Sequence, residues 1–118
     1  MQALDPQSYN LHEVIYISNK NRYERLHKKD ILYIEAQGAY VDIYAINGKK
    51  NLSTHLKSFL SQIDDTSFIQ VSRKHAVNLI HIQEVLSDSV IVGKQSISTS
   101  KMYRNNLLEK LPIIKSKM

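Results

Sequence analysis

Cysteine is absent from the chain, which removes disulfide staples, thiolate metal sites and a cysteine nucleophile together and is compatible with a reducing cytoplasm. Glycine is scarce. Gly38, Gly48 and Gly93 stand far apart, without the P-loop or dinucleotide spacing that turns several backbone amides toward a phosphate. No apolar run approaches the length of a membrane span, and residues 1–10 lack the basic start and apolar stretch of a secretory signal. Acidic residues run short in one half only. Residues 1–71 hold eight Lys/Arg and eight Asp/Glu, whereas residues 72–118 hold eight Lys/Arg against Glu84, Asp88 and Glu109. The whole formal charge of +5 therefore lies in the second part. Such an excess suits a polyanionic partner, nucleic acid or an anionic membrane surface, although solubility alone would also account for a modest charge.

A chain of 118 residues makes one domain, able to bury roughly two thirds of the surface it exposes when unfolded, so its core calls for no metal. Val14-Ile15-Tyr16-Ile17 reads as a strand, Asn19-Lys20-Asn21 as a turn and residues 23–27 as a second strand, with Ile31-Leu32-Tyr33-Ile34 next. Val41, Ile43 and Ala45 then alternate with Tyr40, Asp42 and Tyr44, and Asn47-Gly48 follows as a two-residue hairpin signal. There the period changes. Leu52, Leu56, Phe59, Leu60 and Ile63 fall on one helical stripe, with Ser53 or Thr54 as N-cap and Asp64-Asp65-Thr66 as the exit. Strands are expected again at residues 68–71, 76–80, 85–86, 89–92 and 96–97. Tyr103, Leu107, Leu108 and Leu111 recur at helical spacing after a Ser100 cap, and Pro112 ends that helix. The expected organisation is a flexible terminus or linker remnant over residues 1–11, a domain over 12–112 and a tail over 113–118.

The most informative run is Phe68-Ile69-Gln70-Val71-Ser72-Arg73-Lys74-His75-Ala76-Val77-Asn78-Leu79-Ile80, where four polar residues interrupt an otherwise β-rich apolar segment. A guanidinium fork and an ammonium on a short connection between two strands suit phosphates and base edges. The same four residues would also serve as a plain solvated turn. Ser72 with His75 is the only local pair that resembles a nucleophile and base, and no serine has the glycine pattern of a nucleophile elbow. His12, His27, His55, His75 and His81 match no familiar zinc spacing. Neither catalysis nor a metal or other cofactor is expected. Most tyrosines sit at alternating strand positions and read as core or sheet-face residues, with Tyr40, beside Gln37-Gly38-Ala39, the candidate for a functional role.

An ordered set of segments carries a more specific signal. Asp30-Ile31-Leu32-Tyr33-Ile34-Glu35-Ala36 with Gly38-Ala39-Tyr40, the helix with Leu56, Leu60 and Ile63, Phe68 to Arg73 with Val77-Asn78 and Ile82, and Ile97-Ser98-Thr99-Ser100-Lys101 resemble the LytTR (LytR/AlgR-type) DNA-binding domain over about residues 12 to 111. The resemblance implies a mainly β, elongated fold of small antiparallel sheets, about ten strands with two short helices, whose loops enter successive major grooves. It also implies a cytoplasmic bacterial transcription regulator, commonly the effector of a two-component response regulator with a phosphorylated receiver domain or histidine kinase pathway upstream. Its partner would be double-stranded DNA, with a second copy on repeated half-sites, and no membrane. Carried across, it places Gln37, Gly38, Ala39 and Tyr40 at one DNA-facing edge, Arg73 and Lys74 at the centre, and Ser100, Lys101 and Arg104 at the other edge. Family members often have histidine where this chain has Ser72, and a Ser-Arg pair where it has Ser100-Lys101, so Lys101 suits a phosphate better than a guanine. From other classes, a β-rich module whose basic face binds an acidic protein and a single-stranded RNA binder using exposed tyrosines remain as competing readings.

Overall fold

Alternation of large apolar residues along ten short strands dictates a sheet protein with something to cover on both faces. The computed structural model describes residues 11–117; the expected flexible segment 1–11 lies outside these except for Leu11, which opens a short 3-10 turn. The strands are β1 (Val14–Asn19), β2 (Arg22–His27), β3 (Ile31–Gln37), β4 (Tyr40–Ala45), β5 (Gly48–Leu52), β6 (Phe68–Gln70), β7 (His75–Asn78), β8 (Ile82–Val85), β9 (Ser89–Val92) and β10 (Gln95–Ser98). The helices are α1 (Leu56–Ile63) and α2 (Lys101–Lys110). A five-stranded sheet, in the order β5-β4-β3-β7-β6, is flanked by the β1-β2 hairpin and by a three-stranded sheet of β8, β9 and β10, and all pairings are antiparallel. The fold is mainly β, as expected. Its extents of 57 × 38 × 24 Å and radius of gyration of 15.9 Å exceed the roughly 13.5 Å of an average compact domain of this length. It is elongated.

The period of two along β3 and β4 builds two cores instead of one. Ile34, Ile43 and Ala76 pack with Leu56, Phe59 and Ile63 of α1 and with Ile17 and Leu26 of the hairpin. Tyr33, Ile69 and Val77 point the other way, toward Val90, Val92, Ile97 and Leu107. Leu107 is the one buried residue of α2. Its burial contributes about 2 kcal/mol and docks that helix on the second core.

Several boundaries differ from the sequence expectation. Leu52 belongs to β5, and α1 is capped by His55, not Ser53 or Thr54, in extended conformation and with no side-chain cap bond. The hairpin near Asn47-Gly48 exists, but Ala45 pairs with Gly48, so the two loop residues are Ile46 and Asn47. Gly48 follows them at φ +137°, a conformation that L side chains rarely adopt. Leu79 and Ile80 leave the strand for a 3-10 turn, whose start is held by Asn78: its Oδ1 accepts from the Ile80 N–H at 3.3 Å.

Candidate nucleic-acid interface

Two backbone hydrogen bonds gather the separate polar segments at one end of the central sheet. β3 and β4 are joined by the tight loop Gly38-Ala39, with Gln37 opposite Tyr40 and Gly38 at φ +62°. The Ala36 N–H, at the base of this loop, donates to the Lys74 carbonyl at 2.7 Å, so the β3-β4 tip and the β6-β7 loop lie side by side. The Ser100 N–H donates to the Val71 carbonyl at 2.9 Å and sets the start of α2 against the base of the same loop. Segments near residues 37, 73 and 100 thus form one edge.

The β6-β7 loop holds its own shape. Ser72 Oγ accepts the backbone N–H groups of Lys74 (3.3 Å) and His75 (3.1 Å), the carbonyl of Ser72 accepts from Gln70 Nε2 (2.9 Å), and Val71 N–H donates to the His75 carbonyl (2.9 Å). This is the local side-chain-to-backbone bonding that fixes tight turns. Both lone pairs of the Ser72 hydroxyl oxygen are thereby taken up by backbone amides. Arg73 and Lys74 are exposed, and neither side chain has a partner among the described residues.

Behind the loop lies a polar network that spacing along the chain gives no means of seeing. Glu35 sits opposite His75 in the β3-β7 register. Its Oε2 accepts from His75 Nε2 at 3.0 Å, and its Oε1 accepts from Gln37 Nε2 at 2.8 Å and from the Tyr44 hydroxyl at 3.3 Å. Because a carboxylate only accepts, the imidazole carries its proton on Nε2, and Nδ1 lies 3.4 Å from Ser72 Oγ. Tyr33 and Tyr44 stack at 4.4 Å between ring centroids. Burial pushes both hydroxyls above the ordinary tyrosine value, and the neighbouring Glu35 charge adds to it; for Tyr33 the facing Tyr44 adds as well.

The remaining candidates fall into place unequally. Tyr40 and Lys101 are exposed, and neither side chain has a partner among the described residues. Gln37 is half-buried with its amide N–H committed to Glu35. Ser100 occupies the N-cap position of α2, but its side chain makes no cap bond, and its enclosed hydroxyl, like that of Thr99, has no hydrogen-bond partner among the described residues. Arg104 donates through Nη1 to the Leu86 carbonyl, tying α2 to the turn after β8. Among the described residues there is no group of His, Asp and Glu placed to hold a metal ion, and no helix is long and apolar enough to cross a membrane.

A family model for the LytTr DNA-binding domain matches residues 21–112. The chain belongs to the LytTr DNA-binding domain family. Among solved structures, the LytTr DNA-binding domain of a Bacillus cereus protein described as a methyl-accepting/DNA response regulator is similar, with 19% identity and a TM-score of 0.69 over 81% of this chain and 96% of that one. At that identity the likeness shows the shared fold, and it agrees with the mainly β architecture of this LytTr domain. The family is one of DNA-binding domains.

Proposed function

We propose that this LytTr domain is a sequence-specific reader of double-stranded DNA in a bacterial transcription regulator, acting in the cytoplasm as the effector module, over residues 12–112, of a two-component response regulator. The observation that carries the reading is the assembly of three sequence-distant segments at one edge by the Ala36-to-Lys74 and Ser100-to-Val71 hydrogen bonds. Arg73 is the base reader in this account. Its guanidinium makes two parallel hydrogen bonds to a guanine edge in the major groove, while its place on a braced loop limits the entropy lost on ordering it. Lys74 and Lys101 neutralise phosphates, Arg104 adds the donors left free by its bond to Leu86, and Gln37 and Tyr40 line the neighbouring contact. Ser100 places Lys101 through its backbone. The domain itself performs no catalysis, takes no cofactor and is switched through a receiver or kinase pathway, with a second copy on a repeated half-site.

Selection from a random duplex library tests this directly. The expected result is an enriched motif whose binding weakens steeply with salt, with a log-log slope of about −4 to −5 for four to six phosphate contacts at −0.9 each. A module for acidic proteins would enrich no motif, and a single-strand binder would prefer RNA or unpaired competitor. Either result overturns the proposal.

A further inference from the structure

We infer that Glu35 and His75 are positioning residues for discrimination between DNA sequences, holding the Arg73 loop and the Gln37 hairpin in one frame. The inference rests on the edge being a duplex-binding surface. Glu35 bonds both elements at once: Oε1 accepts from Gln37 Nε2 at 2.8 Å, and Oε2 accepts from His75 Nε2 at 3.0 Å. The Tyr44 hydroxyl, at 3.3 Å from Oε1, holds the carboxylate from the side away from the loop. His75 in turn lies against Ser72 Oγ, the atom on which the amides of Lys74 and His75 converge. An unbroken chain therefore runs from Gln37 through Glu35, His75 and Ser72 to the residues flanking Arg73. The Glu35 and His75 side chains are only 23% and 17% exposed, sheltered enough for such bonds to outlast competition from water.

Base edges and phosphates make different demands on this frame. A bidentate contact to a base needs its guanidinium aimed, whereas attraction between a cation and the phosphate backbone tolerates displacement and carries no sequence information. Loosening the brace therefore lowers discrimination and leaves non-specific, salt-dependent affinity in place.

Substitutions at 75 separate bracing from packing. His75→Phe keeps a ring against Tyr33, whose ring centroid is 6.2 Å away, and loses the donor; His75→Gln keeps a donor near the Nε2 position and loses the ring. Binding of the full chain to a library-selected duplex and to its scrambled counterpart is measured for both. Expected is a roughly tenfold fall in the selected-to-scrambled ratio for His75→Phe and for Glu35→Met, against a fall of less than about threefold for His75→Gln and Glu35→Gln. Scrambled-duplex affinity and salt slope stay unchanged in the two His75 variants, and the Glu35 variants are read by the ratio alone, since each removes a negative charge from the edge. The reverse order at 75, with Phe retained and Gln impaired, overturns the inference, as does an unchanged ratio in folded His75→Phe and Glu35→Met. Failure of the parent chain to discriminate at all refutes the DNA-reading proposal itself, a different outcome from these.

Discussion

Where β3 begins, Asn78 is almost wholly buried and donates through Nδ2 to the carbonyls of Lys28 (3.1 Å) and Ile31 (2.9 Å), Lys28 pairs with Asp65 at 3.3 Å, and His81 Nε2 lies 2.5 Å from the Lys29 carbonyl. Where β3 ends, Arg73 and Lys74 stand in solvent without side-chain partners among the described residues, on a loop whose internal polar groups are bonded. The two ends of one sheet thus use polar residues for opposite purposes. At the first end they satisfy backbone groups that burial would otherwise leave unpaired. At the second, the sheltered polar groups hydrogen-bond within the loop and leave the charges of Arg73 and Lys74 in solvent, the arrangement that the proposed DNA-reading role calls for.

Substitutions at the two ends should separate stability from binding. The largest effect is expected for Asn78→Ala, which leaves the Ile31 carbonyl and the Ile80 N–H without these partners and takes from the Lys28 carbonyl one of its two donors, the other being the Ile31 N–H. It should cost about 3 kcal/mol in urea unfolding, while the folded fraction keeps its DNA preference. Unchanged stability would break the comparison at this end. Arg73→Ala should do the converse, with unfolding free energy within about 0.5 kcal/mol of the parent and a loss of about 1 to 3 kcal/mol on the selected duplex, with flattened preference at one or two base positions. Arg73→Lys should restore non-specific affinity better than discrimination, because it returns the charge without the planar fork.

Smaller effects sharpen the same contrast. Gly48→Val, at φ +137° beside the far-end loop, should destabilise by about 1 to 2 kcal/mol without altering selectivity, and an unchanged melting temperature would mean that the turn tolerates a side chain there. Lys101→Ala should weaken selected and unrelated duplexes alike and reduce the magnitude of the salt slope by about one; a loss confined to the selected duplex would make it a base reader. No effect at neutral pH is expected from Tyr33 and Tyr44. Their hydroxyls are raised in the folded state, so the associated stability is fully present below the unfolded tyrosine value of about 10 and is lost as pH rises through the folded values. Ultraviolet titration of the phenolates, assigned by comparison with Tyr33→Phe and Tyr44→Phe, should show these two hydroxyls ionising above the ordinary tyrosine range, and their ionisation within it would contradict the packing around Glu35.

Strand alternation was the most legible feature, because Val41 and Ile43 against Tyr40 and Tyr44 express a period that burial on two faces enforces. The ordered run from Asp30 to Lys101 was specific enough to carry the family, and the family model over residues 21–112 agrees with it. Boundaries were harder to read, since Ser53 and Thr54 are better intrinsic caps than His55 and lost to the chain path imposed by β5. The exposed charges at Arg73 and Lys74 were legible as an interruption of an apolar run. The bond from Glu35 to His75 joins residues 40 positions apart, and only the β3-β7 register brings them together. For Arg104, which the resemblance places at the DNA-facing edge, the bond to the Leu86 carbonyl is visible only once α2 is docked beside the turn after β8.

Titration of the labelled chain with the library-selected duplex, followed through backbone amide resonances, tests the central claim most directly. The account predicts shifts concentrated at residues 36–40, 72–75 and 99–104, with residues 28–31, 46–48 and 78–81 undisturbed. Shifts centred on the second set, or spread evenly over both ends of the sheet, would contradict it.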